Sequence, residues 1–222
     1  MALEAVDEHQ HDGMIDEYWF AWWDGQGSGG CAGIQAAQGS RELSYWWAVI
    51  DSRMEVIHIA DLHVPTRSTP LLVKGELLWA EFSCEDAHSQ WTLANEARAV
   101  VAAPSAPIDS VIIGQPIAVA SDIEWYATHP CEALEHGIGY SQIGVVHGLI
   151  EYAGRAPTQL DEVASWRCHR WWASGEEPPS PFARADNLDV SVAIPRLTGR
   201  PWMLGPHSFG WAMLSSSDDG ES

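Results

Sequence analysis

Apolar and aromatic residues recur along the chain in short runs, and Gly, Pro, Asp and Ser residues separate these runs. Runs of this kind, rich in aromatic and β-branched side chains, are typical of β-strands. The 3.6-residue period of a helix is scarce, and only 130–136 fits a single helical turn. The pattern therefore predicts an all-β fold, either an antiparallel β-barrel or a sandwich.

The predicted strands cover 17–24, 31–37, 43–51, 55–61, 71–74, 76–83, 90–101, 121–127, 139–152, 162–173, 188–195 and 207–215. Short polar turns join 76–83 to 90–101 and 139–152 to 162–173, so we expect each of these two pairs to be antiparallel neighbours.

The length of 222 residues suits one β domain. We expect that domain to span 17–215. Residues 1–16 form a predicted polar leader that is partly disordered, and 216–222 form a predicted disordered tail.

Charge narrows the class of partner. The chain has 31 acidic and 11 basic residues, with a formal net charge of −20. Since Lys and Arg are too few to neutralise phosphates, no nucleic-acid partner is expected. No apolar run approaches the roughly 18 residues of a membrane-spanning helix, so no integral membrane association is expected either. A homodimer stays open.

The four cysteines are widely spaced and form no C-x-x-C pair. This spacing, together with the lack of an apolar leader, predicts free, mostly buried thiols in a cytoplasmic protein. The expected metal and cofactor content is none, because no metal-ligating motif, phosphate-binding loop or esterase G-x-S-x-G motif occurs.

Tryptophan is the anomaly of the composition: there are 13 Trp against 4 Phe and 5 Tyr. Indole rings serve plain cores, but they also form rigid apolar walls with one N–H donor each. We therefore weigh two interpretations, a Trp-rich core and a pocket for an apolar small molecule.

The segment 166–172 carries the most informative candidate chemistry. On a strand, Arg167, His169 and Trp171 project from one face, and the residues between them project from the other. His169 is the candidate general acid or base, Arg167 the candidate for stabilising an enolate or carboxylate, and Trp171 a candidate cavity wall. The competing interpretation is an exterior barrel face with a histidine satisfied by hydrogen bonds.

The preceding predicted strand, 139–152, places Tyr140 and Gln142 on one face. If it pairs with 162–173, both side chains reach the face of His169 and can donate hydrogen bonds to a substrate. The competing interpretation makes Tyr140 a core residue with its hydroxyl at the rim.

Further candidate substrate-binding residues come from other strands: Trp22, Trp79, Glu81, Trp91 and Trp125. A carboxylate in an apolar pocket, such as Glu81, would have a raised pKa and could act as an acid. The alternative is a solvated surface carboxylate, which applies equally to Asp122 and Glu124 beside Trp125.

Four pieces of the chain stand in a characteristic order: 18–20 with 24–30, then 91–93, then 139–148, then 167–171. Together they resemble the hydroxyneurosporene synthase (carotenoid 1,2-hydratase)-like superfamily, which includes kievitone hydratases and Diels–Alderase-type cyclases. The resemblance implies a lipocalin-like fold and cofactor-free chemistry on polyene, terpenoid or polyketide substrates.

In the hydratases of that superfamily a D-H-x-W-G segment supplies a His and a Trp to the site, and His169 and Trp171 match these two. Cys168 replaces the family's Asp, and Trp172 replaces its Gly. Family members typically carry two lipocalin-like domains, whereas 222 residues suit one.

The leading functional hypothesis is a cofactor-free enzyme that cyclises, hydrates, dehydrates or isomerises an apolar substrate in a Trp-lined pocket. Two alternatives remain. One is a non-catalytic carrier of an apolar small molecule, and the other is a structural domain whose Trp residues serve its core and interfaces.

Overall fold

The computed structural model describes residues 8–23, 29–50, 55–102, 114–134, 138–176, 202–205 and 208–213. These ranges contain β-strands, turns and no α-helix, which confirms the all-β prediction. Within the same ranges, no helix is long and apolar enough to cross a membrane. All four cysteines are free thiols, and Cys31 and Cys168 are buried.

The strands follow one another along the chain as β1 (Met14–Trp23), β2 (Gly29–Ala37), β3 (Glu42–Ile50), β4 (Val56–Pro65), β5 (Leu72–Lys74), β6 (Leu78–Asp86), β7 (Gln90–Ala102), β8 (Gln115–Ala127), β9 (Glu132–Ala133), β10 (Gly139–Tyr152), β11 (Thr158–Ala173), β12 (Trp202–Gly205) and β13 (Ser208–Met213).

Eleven strands form a single antiparallel sheet in the order β4-β3-β2-β1-β11-β10-β8-β7-β6-β5, with β9 paired to β10. An additional pairing of β4 with β7 closes eight of these strands into a barrel-like ring. β6 and β5 extend from β7, and the separate hairpin of β12 and β13 lies with β12 against β2 and β3.

Strand alternation divides the aromatic residues between the two faces of the ring. In β1, Tyr18, Phe20 and Trp22 belong to the interior core, whereas Trp19 and Trp23 belong to a second buried cluster on the outer face. A one-residue slip in register would exchange these two sets, so the large rings on each face fix the strand register. Other large members of the interior core are Tyr45, Trp47, Phe82, Trp91 and Trp125.

Most predicted strands occur with shifted ends. β10 has the predicted bounds, while β11 begins at Thr158 and β8 at Gln115, both earlier than expected. The predicted helical turn at 130–136 is wrong for its described part, because Glu132–Ala133 is a short strand paired with Tyr140 and Ser141. The predicted strand 188–195 lies outside the described residues.

Two glycines of β10 have specific packing roles. Gly148 has a φ of 139° and lies at the bulge that shifts the pairing with β11. A Cβ at Gly144 would lie 2.3 Å from the Tyr126 carbonyl oxygen and 2.5 Å from the Trp125 ring. Glycine at 144 therefore allows the Trp125 indole to pack directly on the neighbouring strand.

The segment 8–13 precedes β1 and belongs to the predicted polar leader. β1 begins at Met14, and Glu8 is buried although it lies outside the sheet. The Tyr18 hydroxyl donates a hydrogen bond to the Glu8 carbonyl oxygen at 3.3 Å. The segment therefore folds onto the end of the ring at which β1 begins and β11 finishes, which we call the Arg167 end.

Candidate functional site

The pairing of β10 with β11 assembles the core of the candidate site. Tyr140 lies opposite His169 and Gln142 lies opposite Arg167. All four side chains are buried. Cys168, between Arg167 and His169, belongs instead to the outer cluster. The strand alternation that groups Arg167 with His169 therefore directs Cys168 away from them.

Arg167 binds the carboxylate of Glu8 in a two-pronged ion pair. The Arg167 Nη2 atom lies 2.7 Å from Glu8 Oε1, and Nη1 lies 2.9 Å from Oε2. The Tyr140 hydroxyl also donates a hydrogen bond to Glu8 Oε2. This bidentate geometry is the strongest form of a charge-assisted hydrogen bond, and here both charged groups are fully buried.

Gln142 holds Arg167 from its other side. Gln142 Oε1 accepts hydrogen bonds from Arg167 Nη2 at 2.7 Å and Nε at 3.0 Å. Gln142 Nε2 in turn donates to the carbonyl oxygens of His88 and His129, each at 2.9 Å. The amide orientation of Gln142 is therefore fixed by bonds at both ends.

The turn between β6 and β7 supplies a further hydrogen-bond donor to the Glu8 carboxylate. His88 has a positive φ of 58°, a conformation that few non-glycine residues adopt. Its backbone N–H donates to Glu8 Oε1 at 2.7 Å, while its carbonyl oxygen accepts from Gln142. This unusual backbone conformation coincides with two contacts to the buried polar cluster.

Aromatic rings surround the Arg167 guanidinium. Its central carbon lies 4.8 Å from the Trp125 ring centre, 5.1 Å from that of Tyr140 and 5.8 Å from that of Trp91. The negative faces of such rings stabilise a buried cation. The predicted residues Trp91 and Trp125 thus lie in the interior beside Arg167.

The ionisation of Glu8 and Arg167 is stabilised by their mutual contact. Burial by itself would raise the pKa of Glu8, but the hydrogen bond and charge of Arg167 outweigh it and lower that pKa to about 2. Burial likewise opposes the charge of Arg167, but Tyr140 and Glu8 raise the pKa of Arg167 above its ordinary value. Both groups are therefore ionised at neutral pH.

His169 forms a second polar pair with Asp16 of β1. His169 Nε2 lies 3.0 Å from Asp16 Oδ1, and both side chains are buried. Burial lowers the pKa of His169 below 6.5, even though the hydrogen bond and charge of Asp16 raise it. The imidazole is therefore neutral at pH 7, with its Nε2–H donating to Asp16 and Nδ1 left as an acceptor.

The Nδ1 atom of His169 is buried and has no hydrogen-bond partner among the described residues. The His169 ring stacks on Tyr18, with centres 4.0 Å apart, and meets Trp171 edge-on at 5.2 Å. An imidazole with one nitrogen oriented by a carboxylate and the other available is the arrangement of a general base.

His11 covers this pair from the N-terminal segment. Its Nδ1 atom lies 2.7 Å from Asp16 Oδ1, and its backbone N–H donates to Asp16 Oδ2 at 2.9 Å. The His11 ring stacks on Trp171 with centres 3.9 Å apart. The Trp171 ring is therefore in contact with both histidine rings.

The ligand atoms of His11, Asp16 and His169 lie within 4.8 Å of one another, which makes this group a candidate for holding a metal ion. Two imidazoles and a carboxylate are common ligands of transition metals. However, both ring nitrogens already lie within hydrogen-bond distance of the same Asp16 oxygen. Hydrogen bonds therefore account for the arrangement without an ion.

Two predicted residues of β6 lie away from this cluster. Leu78, Ala80 and Phe82 belong to the interior core, so alternation places Trp79 and Glu81 on the outer face. The carboxylates of Asp122 and Glu124 are likewise on exposed residues, in line with the solvated interpretation.

Trp22 lies toward the opposite end of the ring. It lines a small pocket there together with Val49, Ile150, Tyr152 and Leu160. His169 pairs with Tyr18, which is four residues from Trp22 along β1, a separation of roughly 13 Å. Trp22 is therefore separate from the His169 site.

Four site residues were missed by sequence reasoning: Glu8, His11, Asp16 and His88. Glu8 and His11 lie in the predicted leader, and the predicted first strand began at residue 17. Extending its alternation backward from Tyr18 would have placed Asp16 on the interior face, which is the one local signal available. The contacts of Glu8 and His88 leave no comparable pattern in the sequence.

Cys131 lies beside the same cluster, with its Sγ atom 3.3 Å from His88 Nδ1. Burial raises the pKa of the Cys131 thiol to about 11, against the lowering effect of Arg167. The thiol is therefore protonated at neutral pH.

Comparison with known proteins does not assign a family. No protein-family model matches the chain, and no curated protein sequence matches it significantly. The resemblance to the hydroxyneurosporene synthase-like superfamily therefore stays a prediction, and a functional hypothesis rests on the geometry of the Arg167 end.

Proposed function

We propose that this protein is a cofactor-free enzyme that moves a proton on an apolar polyene, terpenoid or polyketide substrate at the Arg167 end of the ring. The observation that carries the proposal is the buried Asp16–His169 pair. The Nε2 atom of His169 faces a carboxylate, and its Nδ1 atom has no hydrogen-bond partner among the described residues.

In this mechanism the neutral His169 accepts a proton from a carbon of the substrate through Nδ1. Asp16 then stabilises the imidazolium that forms, 3.0 Å from its carboxylate. Return of the same proton to a different carbon isomerises the substrate, and atoms and charge balance without a further reactant. Cyclisation begins with the same proton transfer and forms a carbon–carbon bond within the substrate, whereas hydration also consumes a water molecule and dehydration releases one.

The aromatic surroundings support chemistry on a conjugated substrate. Tyr18 stacks on His169, and Trp171 meets it edge-on. Such rings exclude water, hold a flexible apolar chain in one conformation and stabilise the positive charge that develops on the His169 imidazole. The Arg167 end thus combines apolar walls with polar groups at a few defined atoms, a combination typical of small-molecule sites.

Access to His169 requires movement of the segment 8–13, which covers this end. The segment lies outside the sheet, and His11 is only partly buried. Its withdrawal breaks the contacts of Glu8 and His11, but none of the pairings of β1 with β2 and β11.

Deuterium incorporation tests the proton transfer even where the product has not been identified. The wild type and its variants are incubated in D₂O with terpenoid enones and polyene acids, and incorporation is measured by mass spectrometry. We expect His169→Gln to lose at least about a hundredfold in rate, since general acid–base catalysis contributes roughly 10²–10⁴-fold.

The matched control is His147→Gln, because His147 is a partly exposed histidine on β10 whose neighbour is the exposed carboxylate of Asp161. It should keep the wild-type rate. Equal rates for wild type and His169→Gln would refute the role of His169. Tight binding of the panel without incorporation or product would instead favour the carrier.

A further inference from the structure

We propose that Arg167, Tyr140 and the His88 backbone N–H form a carboxylate-binding site, that Glu8 is its internal occupant, and that the ligand is an apolar carboxylic acid that displaces Glu8. This inference rests on the proposed small-molecule function of the Arg167 end, and it specifies the chemical class of the ligand.

The site is built by parts of the chain that are far apart in sequence. Arg167 lies on β11, Tyr140 on β10 and His88 in the turn between β6 and β7. Their hydrogen-bond donors converge on the two oxygens of the Glu8 carboxylate. Gln142 fixes the guanidinium from behind, so the donors remain oriented when the occupant changes.

The occupant belongs to a segment that the sheet does not hold. Glu8 precedes the start of β1 at Met14, and no strand pairing of the described chain includes the segment 8–13. Besides the Glu8 carboxylate, the contacts of this segment with the sheet include the hydrogen bond from Tyr18 to the Glu8 carbonyl oxygen and the bond from the Met14 N–H to the His11 carbonyl oxygen. His11 also contacts Asp16, Trp171 and His169 through its backbone N–H or its ring. Exchange of Glu8 for another carboxylate therefore leaves the ring intact.

Charge explains why the ligand carries a carboxylate. Arg167 is fully buried and stays ionised, so an opened site leaves a buried cation without a counterion. A ligand carboxylate restores the bidentate pair, whereas an ester or alcohol does not. The apolar body of the ligand then occupies the space that the segment 8–13 leaves beside Trp171 and Tyr18.

The first test compares cis-parinaric acid with its methyl ester, which share the same polyene body. Binding is followed by energy transfer from tryptophan to the polyene in the wild type and in Glu8→Gln. We expect the acid to bind Glu8→Gln at least about tenfold more tightly than the wild type, because the competing internal carboxylate is gone. The ester should show no such gain.

Glu96→Gln serves as the matched control, because Glu96 is an exposed carboxylate on β7. It should leave the affinity for both probes unchanged. Equal affinities of acid and ester in the wild type and in Glu8→Gln would overturn the carboxylate site while leaving an apolar pocket in place. Binding of neither probe would overturn the small-molecule function itself.

A measurement on the wild type tests the displacement even if Glu8→Gln does not fold. Hydrogen exchange of the backbone amides in 8–13 is measured with and without saturating cis-parinaric acid. Displacement of Glu8 predicts faster exchange in this segment with the acid and no change with the ester. Unchanged or slower exchange with bound acid would refute displacement.

Discussion

The His169 imidazole lies 3.0 Å from the carboxylate of Asp16, although 153 positions separate the two residues in sequence. The direct antiparallel pairing of β1 with β11 brings them together, with Tyr18 opposite His169 and Asp16 opposite Trp171. Cys168, the sequence neighbour of His169, belongs to the outer cluster. The carboxylate that contacts His169 therefore comes from the neighbouring strand and not from an adjacent position in sequence.

The Asp16–His169 contact predicts the effect of Asp16→Asn on titration. Burial lowers the pKa of His169, while Asp16 raises it less strongly through a hydrogen bond and its charge. Removing the charge should therefore move the His169 pKa further below 6.5. The midpoint is measured from imidazole NMR resonances in both proteins. A pKa that rises in Asp16→Asn would contradict the assigned pair.

Glu8→Gln should lower the free energy of unfolding by about 3 kcal/mol at pH 7. The substitution leaves Arg167 buried without a counterion, and breaking a buried ion pair in this way typically costs roughly 3–5 kcal/mol. Urea denaturation measures the change. Glu96→Gln, at an exposed position, should lie within about 0.5 kcal/mol of the wild type. A similarly small effect at Glu8 would mean that the ion pair is energetically unimportant.

The same carboxylate predicts an acid-sensitive stability. The Glu8 pKa is about 2 in the folded protein against 4.5 as the ordinary value, so the unfolded state binds more protons between these pH values. Stability from Glu8 is thus fully present above about pH 5 and is lost as the pH falls toward 2.

Denaturation at a series of pH values tests this linkage. The wild type should lose about 3 kcal/mol more than Glu8→Gln across that interval, since each pKa unit corresponds to about 1.4 kcal/mol. Parallel pH profiles for the two proteins would show that Glu8 is not the group responsible.

Gly144→Ala should lower the free energy of unfolding by roughly 2–3 kcal/mol. The new methyl group would lie 2.5 Å from the Trp125 ring and 2.3 Å from a backbone oxygen, and overpacking of this kind typically costs about 1–3 kcal/mol. At Gly154 a Cβ would have no atom within 4 Å, but the φ of 74° at that position is unfavourable for alanine. Gly154→Ala should cost only about 1 kcal/mol, and thermal unfolding compares the two.

A reversed order, with Gly154→Ala the more damaging variant, would contradict the close packing of Trp125 on β10. It would also argue against a fixed position of the Trp125 indole beside the Arg167 guanidinium.

The sequence by itself determined the strand character and the faces of β10 and β11. Side chains alternate with a period of two along any strand, so Arg167 and His169 share a face wherever that strand lies. The short turn between the two strands also made their pairing predictable, and with it the approach of Tyr140 to His169.

Only the tertiary structure decided which face is the interior and what meets Arg167 and His169 there. Ring closure brings β1 beside β11, and the chain before β1 folds back over the end of the ring. Glu8 lies 159 positions from Arg167, and contacts at such separations leave no periodic pattern in the sequence. The packing of Leu78 and Phe82 into the core decided that Trp79 faces outward, and the sheet register placed Trp22 toward the far end of the ring. Alternation along a strand shows which residues share a face, but not which face is buried in the core.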